Sequence, residues 1–167
     1  RISKGHARLH AYGTVDELNA VLGLALAAGL DQTLRVRVRR VQGELFVVGA
    51  DLATPLEADS QGIVRTTSGL AKQLEDEIDG WQAGLPALKH FILPGGNMAG
   101  ALLHQARTVC RRAERWLVAL SESEAVNPEA LRYLNRLSDW LFVAARVVTL
   151  GAGYEETTWQ GSSHDGG

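Results

Sequence analysis

Three arginines, Arg107, Arg111 and Arg115, recur at every fourth position, the spacing that lays side chains along one narrow stripe of an α-helix. Set side by side they repel by roughly 0.2–0.5 kcal/mol per pair even in water, so something acidic should face them. Two readings fit. One is a solvated stripe with scattered ion pairs. The other is an anion site, because guanidinium groups grip phosphate oxygens bidentately and stay charged at any relevant pH. Arg112 and Glu114 flank the stripe. Asn135 lies between Leu134 and Leu137, and its amide needs a partner if buried, either in a structural hydrogen bond or on a ribose or base edge. Asp139, one turn on, can pair with Arg136 or Arg132 or hold a cation. Asp16 falls near the start of an expected helix, where the dipole favours a carboxylate whatever its function.

Other chemistries lack their residues. The five histidines, His6, His10, His90, His104 and His164, form no cluster. No Glu is followed three residues later by His, so the ligand pattern of a di-iron or di-manganese helical bundle is missing. His104 therefore reads as a structural imidazole. The chain has neither a glycine-rich phosphate loop ending in Lys-Ser/Thr nor a Gly-x-Ser-x-Gly nucleophile elbow. Cys110, the single cysteine, falls on an apolar helix side as a small hydrophobe; alone it forms no intramolecular disulfide, and it fits a reducing compartment.

The elements that must carry these residues are helical. All four prolines stand between apolar-periodic segments or at the start of one. A first helix is expected from Thr14, with Glu17 completing a capping box, to Gly29. A second spans about residues 33–50, and its Arg35, Arg37, Arg39 and Arg40 are expected on a solvated face. A loop over 51–66 precedes a third helix at 67–82. The run Phe91-Ile92-Leu93 stops at Pro94-Gly95-Gly96, and a fourth helix covers 97–120. The fifth has Asn127 as N-cap and Pro128 as its first residue, and runs to Gly151. Five helices with short connections, and no alternating strand pattern, predict an all-α up-and-down bundle. At 167 residues and 46% apolar the chain can fill one core, expected within residues 1–160, with 161–167 as a disordered tail. A net charge of −2 rules out a globally basic nucleic-acid binder, and no apolar run of 18 residues offers a membrane span. The sequence opens at Arg1 without an initiator Met, so a targeting peptide would be invisible.

These landmarks resemble the ATP:cob(I)alamin adenosyltransferases of the propanediol-utilisation type. The matching stretches are Arg1-Ile-Ser-Lys4, Ala11-Tyr-Gly-Thr-Val-Asp-Glu-Leu-Asn19, Leu45-Phe-Val-Val-Gly-Ala-Asp-Leu-Ala-Thr-Pro55, Phe91-Ile-Leu-Pro-Gly-Gly96, Ala106-Arg-Thr-Val-Cys-Arg-Arg-Ala-Glu-Arg115, Arg132-Tyr-Leu-Asn-Arg-Leu-Ser-Asp139 and Glu156-x-x-Trp159. They run in order over almost the whole chain.

The resemblance implies a ferritin-like five-helix bundle that assembles as a homotrimer with active sites between subunits. It implies transfer of the 5′-deoxyadenosyl group of ATP, bound with Mg²⁺, to cob(I)alamin, with release of triphosphate. Lys4, Arg111 and Arg115 match phosphate-contacting positions; Glu114 and Asn135, with Arg112 beside them, match the nucleotide site. Asp16 matches a carboxylate that pairs with Arg111 across the subunit interface, and Phe91 an aromatic that lies against the corrin and keeps the lower axial face of cobalt free. A cytoplasmic enzyme, or a mitochondrial-matrix one in a eukaryote, is implied, with a corrinoid reductase and an adenosylcobalamin-dependent mutase as partners. The family's Thr-Gly-Asp-x-Gly-x-Thr segment, which folds over the ATP phosphates, falls before Arg1. It is expected to order only with ATP. The rival expectation is a delivery protein that binds adenosylcobalamin without forming it.

Overall fold

The computed structural model describes residues 6–58 and 62–159; the expectations for Lys4 and for the tail at 161–167 lie outside the described residues. Five helices follow in order: α1 (Ala7–Ala27), α2 (Gln32–Ala53), α3 (Ser68–Gln82), α4 (Met98–Ser121) and α5 (Pro128–Gly151). Contacts between named side chains give their directions. Asn19 and Gln42 each donate an amide N–H to the other's backbone carbonyl, at 3.1 and 3.2 Å, which sets α2 antiparallel to α1. Arg8 reaches Glu124 just past the end of α4, and His10 stacks on Trp116, so α4 also runs against α1. The Cys110 thiol donates to the Leu134 carbonyl and His104 meets Phe142 edge-on, which sets α5 against α4. Glu75 meets Arg132 and Trp81 packs on Trp140, so α3 runs alongside α5. The up-and-down bundle is what the periodicity predicts.

The core is a continuous aliphatic stack. Leu18, Leu22, Leu34, Leu45, Leu103, Leu117, Leu134 and Leu141 are all buried at the helix spacings that put them on inward faces. Among them lies a polar tie of α2, α3 and α5. Arg40 holds Glu44 at 2.9 Å and Glu77 at 2.8 Å, the Tyr133 hydroxyl donates to Glu44 at 2.7 Å, and the Trp140 indole donates to Glu77 at 2.7 Å. Burial raises the Glu44 pKa, and the Tyr133 hydroxyl and Arg40 offset this only in part. Each buried polar atom of this tie thus has a partner, which is the condition for such a network to stabilise rather than weaken a core.

Two expectations are corrected here. Helix α1 begins at Ala7 and not at Thr14, because His6 caps it, its Nδ1 accepting from the Arg8 backbone at 3.2 Å. The Thr14 hydroxyl points back along the helix and donates to the His10 carbonyl at 2.6 Å, and Glu17 leaves the expected capping box to pair with Arg112. The arginines of α2 are not all solvated either. Arg37 sits 4.9 Å over the Trp81 ring and, with Arg40, engages Glu77, so half of that run ties α2 to α3.

The long α2–α3 connection is anchored at buried Asp51. Its carboxylate takes Arg65 at 2.7 Å, the Thr66 backbone N–H at 2.8 Å and the Asn127 amide at 2.7 Å, while Asn127 also caps α5. Burial alone would raise the Asp51 pKa. The three donors outweigh it and hold the carboxyl below its ordinary value of 3.8. A depressed folded-state pKa contributes stability that is full above the unfolded value and is lost as pH falls through the folded one. Asp51→Asn is therefore expected to cost about 1–3 kcal/mol at neutral pH by urea unfolding. The gap to wild type should narrow steadily as the pH is taken below 3.8.

Candidate active site

Helix α4 is wedged between α1 and α5, and its apolar side, Leu103, Ala106, Val109, Cys110, Ala113 and Leu117, is buried. That packing fixes where the arginines emerge. At 1.5 Å rise per residue, Arg107 and Arg115 start about 12 Å apart along the axis, and a period of 3.6 swings each successive one around the helix. The stripe thus joins two different surroundings.

At one end, half-buried Arg107 enters a cavity of about 630 Å³ walled by Phe91, Ile92, Phe142 and Trp159, with Lys89 and His90 on its rim. Its Nε is buried without a hydrogen-bond partner. Burial, then the neighbouring Arg111 charge, pushes its pKa down. At the other end, Arg112 and Arg115 border a groove of about 330 Å³ beside Trp116. Arg112 is neutralised by Glu17, whereas Arg111 and Arg115 are exposed and make no ion pair among the described residues. Packing alone therefore holds unpaired positive charge together.

Glu114 and Asn135 meet beside the stripe. The Asn135 Nδ2 donates to Glu114 Oε1 at 2.9 Å, and Arg136 donates to Asn135 Oδ1 at 3.0 Å. Arg136 is itself held by Asp139 at 3.2 Å. The structural hydrogen bond weighed for Asn135 is made, and its amide orientation is fixed from both ends. One N–H and one lone pair of that amide are left for a ligand.

Phe91 is 79% exposed, in keeping with a side chain that awaits something to cover. Its segment is held in place by the end of the chain. Ile92 and Thr158 form an antiparallel bridge, Leu93 N donates to the Thr157 carbonyl at 2.8 Å, and Trp159 N donates to the Phe91 carbonyl at 2.7 Å. The following turn needs Gly96, whose φ is +93° and where a Cβ would lie 2.5 Å from the Thr149 methyl on α5.

Asp16 is exposed in a groove of about 350 Å³ between α1 and α2, with Tyr12, Asn19 and Phe46. It has no partner among the described residues and does not meet Arg111 within the chain. Trp159 and Phe142 on the cavity wall, and the pairing of Glu17 with Arg112, escaped sequence reasoning. The closing Glu156-x-x-Trp159 was the only signal for the first, and nothing local announces an ion pair across 95 residues. Among the described residues no group of three or more His, Cys, Asp or Glu side chains is placed to hold a metal ion.

The bundle thus places an apolar-walled cavity at Arg107 and exposed guanidinium groups at Arg111 and Arg115 along one helix. The family model for cobalamin adenosyltransferase matches residues 1–148. A corrinoid adenosyltransferase of Bacillus subtilis is 44% identical over 167 residues, covering 98% of this chain and 85% of the relative. One from Mycobacterium bovis is 48% identical over 151 residues, covering 88% and 78%. Among solved structures, a variant of the PduO-type ATP:corrinoid adenosyltransferase from Lactobacillus reuteri, complexed with cobalamin and ATP, superposes with a TM-score of 0.91 at 36% identity, over 96% of this chain and 87% of that one. The chain belongs to the cobalamin adenosyltransferase family.

The cysteine in this site is inert by construction. Cys110 is fully buried, burial pushes its thiol pKa far up, and its S–H is spent on the Leu134 carbonyl at 3.2 Å. Titration of the native protein with a disulfide reagent at pH 8 is expected to release almost nothing over minutes. One equivalent should appear at once in denaturant, and rapid release from the native protein would contradict the burial.

Proposed function

We propose that Phe91 and the cavity beside it take the corrinoid, and that Arg111 and Arg115 take the phosphates of ATP. Across these two sites the chain, a corrinoid adenosyltransferase, transfers the 5′-deoxyadenosyl group of ATP to cobalamin. The observation that carries the assignment is the stripe itself, which runs from Arg107 in the apolar cavity to unpaired Arg115 some two turns away. A further point supports it. Among the solved Lactobacillus reuteri structures one variant replaces a phenylalanine with histidine and another an arginine with lysine, at positions twenty residues apart, and Phe91 and Arg111 have the same separation.

The chemistry asks little of the protein as acid, base or nucleophile. Reduced cobalt attacks C5′ of ATP; the cobalt–carbon bond forms as the C5′–oxygen bond breaks, and triphosphate leaves with the bonding electron pair. Preorganised guanidinium groups stabilise the departing oxygens more strongly as charge accumulates on them, and removal of one such contact typically costs about 2.7–4 kcal/mol of barrier. Glu114, positioned by Asn135, and Arg112 line the nucleoside end. Lys4 adds a further phosphate contact in the same reading. Phe91 excludes water from one face of the corrin and leaves cobalt without a lower ligand, the state easier to reduce.

Guanidinium groups do not ligate Mg²⁺ and no group of three or more His, Cys, Asp or Glu side chains among the described residues could hold it, so an Mg²⁺ would arrive on the triphosphate and not on the protein. When bound it neutralises phosphate charge beside Arg111 and Arg115. The assembly is a homotrimer in which Asp16 of one subunit pairs with Arg111 of the next. Both are exposed and make no ion pair among the described residues, and exposed Phe46 beside Asp16 gives the contact an apolar centre. A cytoplasmic setting suits a reaction that needs ATP and reduced cobalt. A corrinoid reductase would supply the substrate and an adenosylcobalamin-dependent mutase consume the product.

Arg111→Lys keeps the charge and loses the bidentate fork. In an anaerobic assay with reduced cobalamin and Mg-ATP, followed by the spectral change on cobalt–carbon bond formation, its kcat/KM is expected to fall by about a hundredfold with helicity unchanged. Wild-type turnover would remove Arg111 from the site. No turnover by the wild-type chain would favour a delivery protein.

A further inference from the structure

Arg146 lies on α5, is 6% exposed, and has no place in the phosphate or nucleoside site. Its guanidinium does two things at once. It clamps Glu156 bidentately, Nε to Oε1 at 2.7 Å and Nη2 to Oε2 at 3.0 Å, and it donates to the Pro86 carbonyl at 2.8 Å. Pro86 belongs to the α3–α4 connection that carries Phe91, and Glu156 to the segment after α5 that ends in Trp159. One buried cation thus gathers both segments onto α5.

Beyond the clamp the two segments pair through only a few backbone contacts: the Ile92–Thr158 bridge and the bonds from Leu93 N to Thr157 and from Trp159 N to Phe91. A single bridge between two extended segments is weaker still than an isolated two-stranded hairpin, which is already marginal in water, so it needs an anchor. Phe91 and Trp159 both face the cavity, and Phe91 is too exposed to be positioned by packing of its own.

We infer that the Arg146–Glu156 pair is a positioning device for the corrinoid site, holding the two bridged segments so that Phe91 and Trp159 stand as a preformed wall. The inference rests on the assignment of the Phe91 cavity to the corrinoid. Its geometry is that of a fork on a carboxylate, with both partners largely buried, so loss of one charge leaves the other unpaired and frees the segments. Nothing in the clamp touches Arg111, Arg115, Glu114 or Asn135. Its effect therefore falls on one substrate only.

Two variants test this, Glu156→Gln, which keeps the shape and removes the charge, and Arg146→Lys, which keeps the charge and removes the fork. Each is checked for helicity, and Arg146→Lys serves if Glu156→Gln does not fold. Hydrogen exchange at the Leu93 and Trp159 amides is read first, and it should quicken in either variant while core amides of α4 keep their protection. Steady-state kinetics come second. The expected result is a rise in KM for cobalamin, or a fall in kcat, of roughly tenfold to a hundredfold, with KM for ATP unchanged. Unaltered exchange at the two amides would overturn the inference. So would faster exchange with wild-type cobalamin kinetics, or KM values for both substrates rising together. Phe91→Ala is the control: wild-type cobalamin kinetics in that variant would strike down the cavity assignment, while exchange would still report whether the clamp holds the segments.

Discussion

Holding like charges together against their own repulsion is the constraint on which this molecule is organised. Arg107, Arg111 and Arg115 cannot disperse, because the opposite side of α4 is sunk between α1 and α5 and every side chain there is buried. Of the arginines of α4, only Arg112, off the stripe, finds a carboxylate among the described residues. The work of assembling positive charge is therefore done during folding, by burial of Leu103, Leu117 and their neighbours. Under the proposed assignment the site would meet the phosphates without reorganising, and catalysis would need no protein base or nucleophile.

The rest of the bundle keeps α4 in position. The Arg40–Glu44–Glu77 tie, sealed by the Tyr133 hydroxyl and the Trp140 indole, locks α3 and α2 onto α5, which forms one wall of the α4 slot. Asp51 draws the long α2–α3 connection onto the N-cap of α5. At the other end of α5 the Arg146–Glu156 clamp gathers the two segments that wall the apolar cavity. One helix thus holds both Asn135, which fixes Glu114, and Arg146, which gathers the segments of the cavity wall, so the proposed nucleoside and corrinoid sites would share it.

Much of this was legible in the sequence, and the reason is locality. Apolar periods of three and four residues, Asn127-Pro128 at the start of α5 and the glycine that follows α1 are read within a few positions of themselves, and the helices stand nearly where those signals put them. The arginine stripe is also local, a matter of spacing on one helix. What was misread depended on partners distant in sequence. Thr14 and Glu17 look like a cap, but the chain before them continues as helix under His6, and Glu17 has Arg112 to satisfy. Arg37 and Arg40 look solvated until α3 brings Glu77 and Trp81 beside them. The bridge that presents Phe91 joins residues more than sixty positions apart and has no alternating pattern around it. A role for Asp16 was legible only through the family resemblance, since no described residue of its own chain pairs with it.

The central claim is that the unpaired guanidinium groups of α4 exist to hold the leaving triphosphate. Calorimetric titration of the full-length protein with inorganic triphosphate and Mg²⁺, with no nucleoside present, tests it most directly. The account predicts binding that competes with ATP, weakens as salt is raised, and is lost by about a hundredfold or more when Arg111 and Arg115 are both replaced by alanine, with cobalamin affinity retained. Equal triphosphate affinity in the double variant would contradict it.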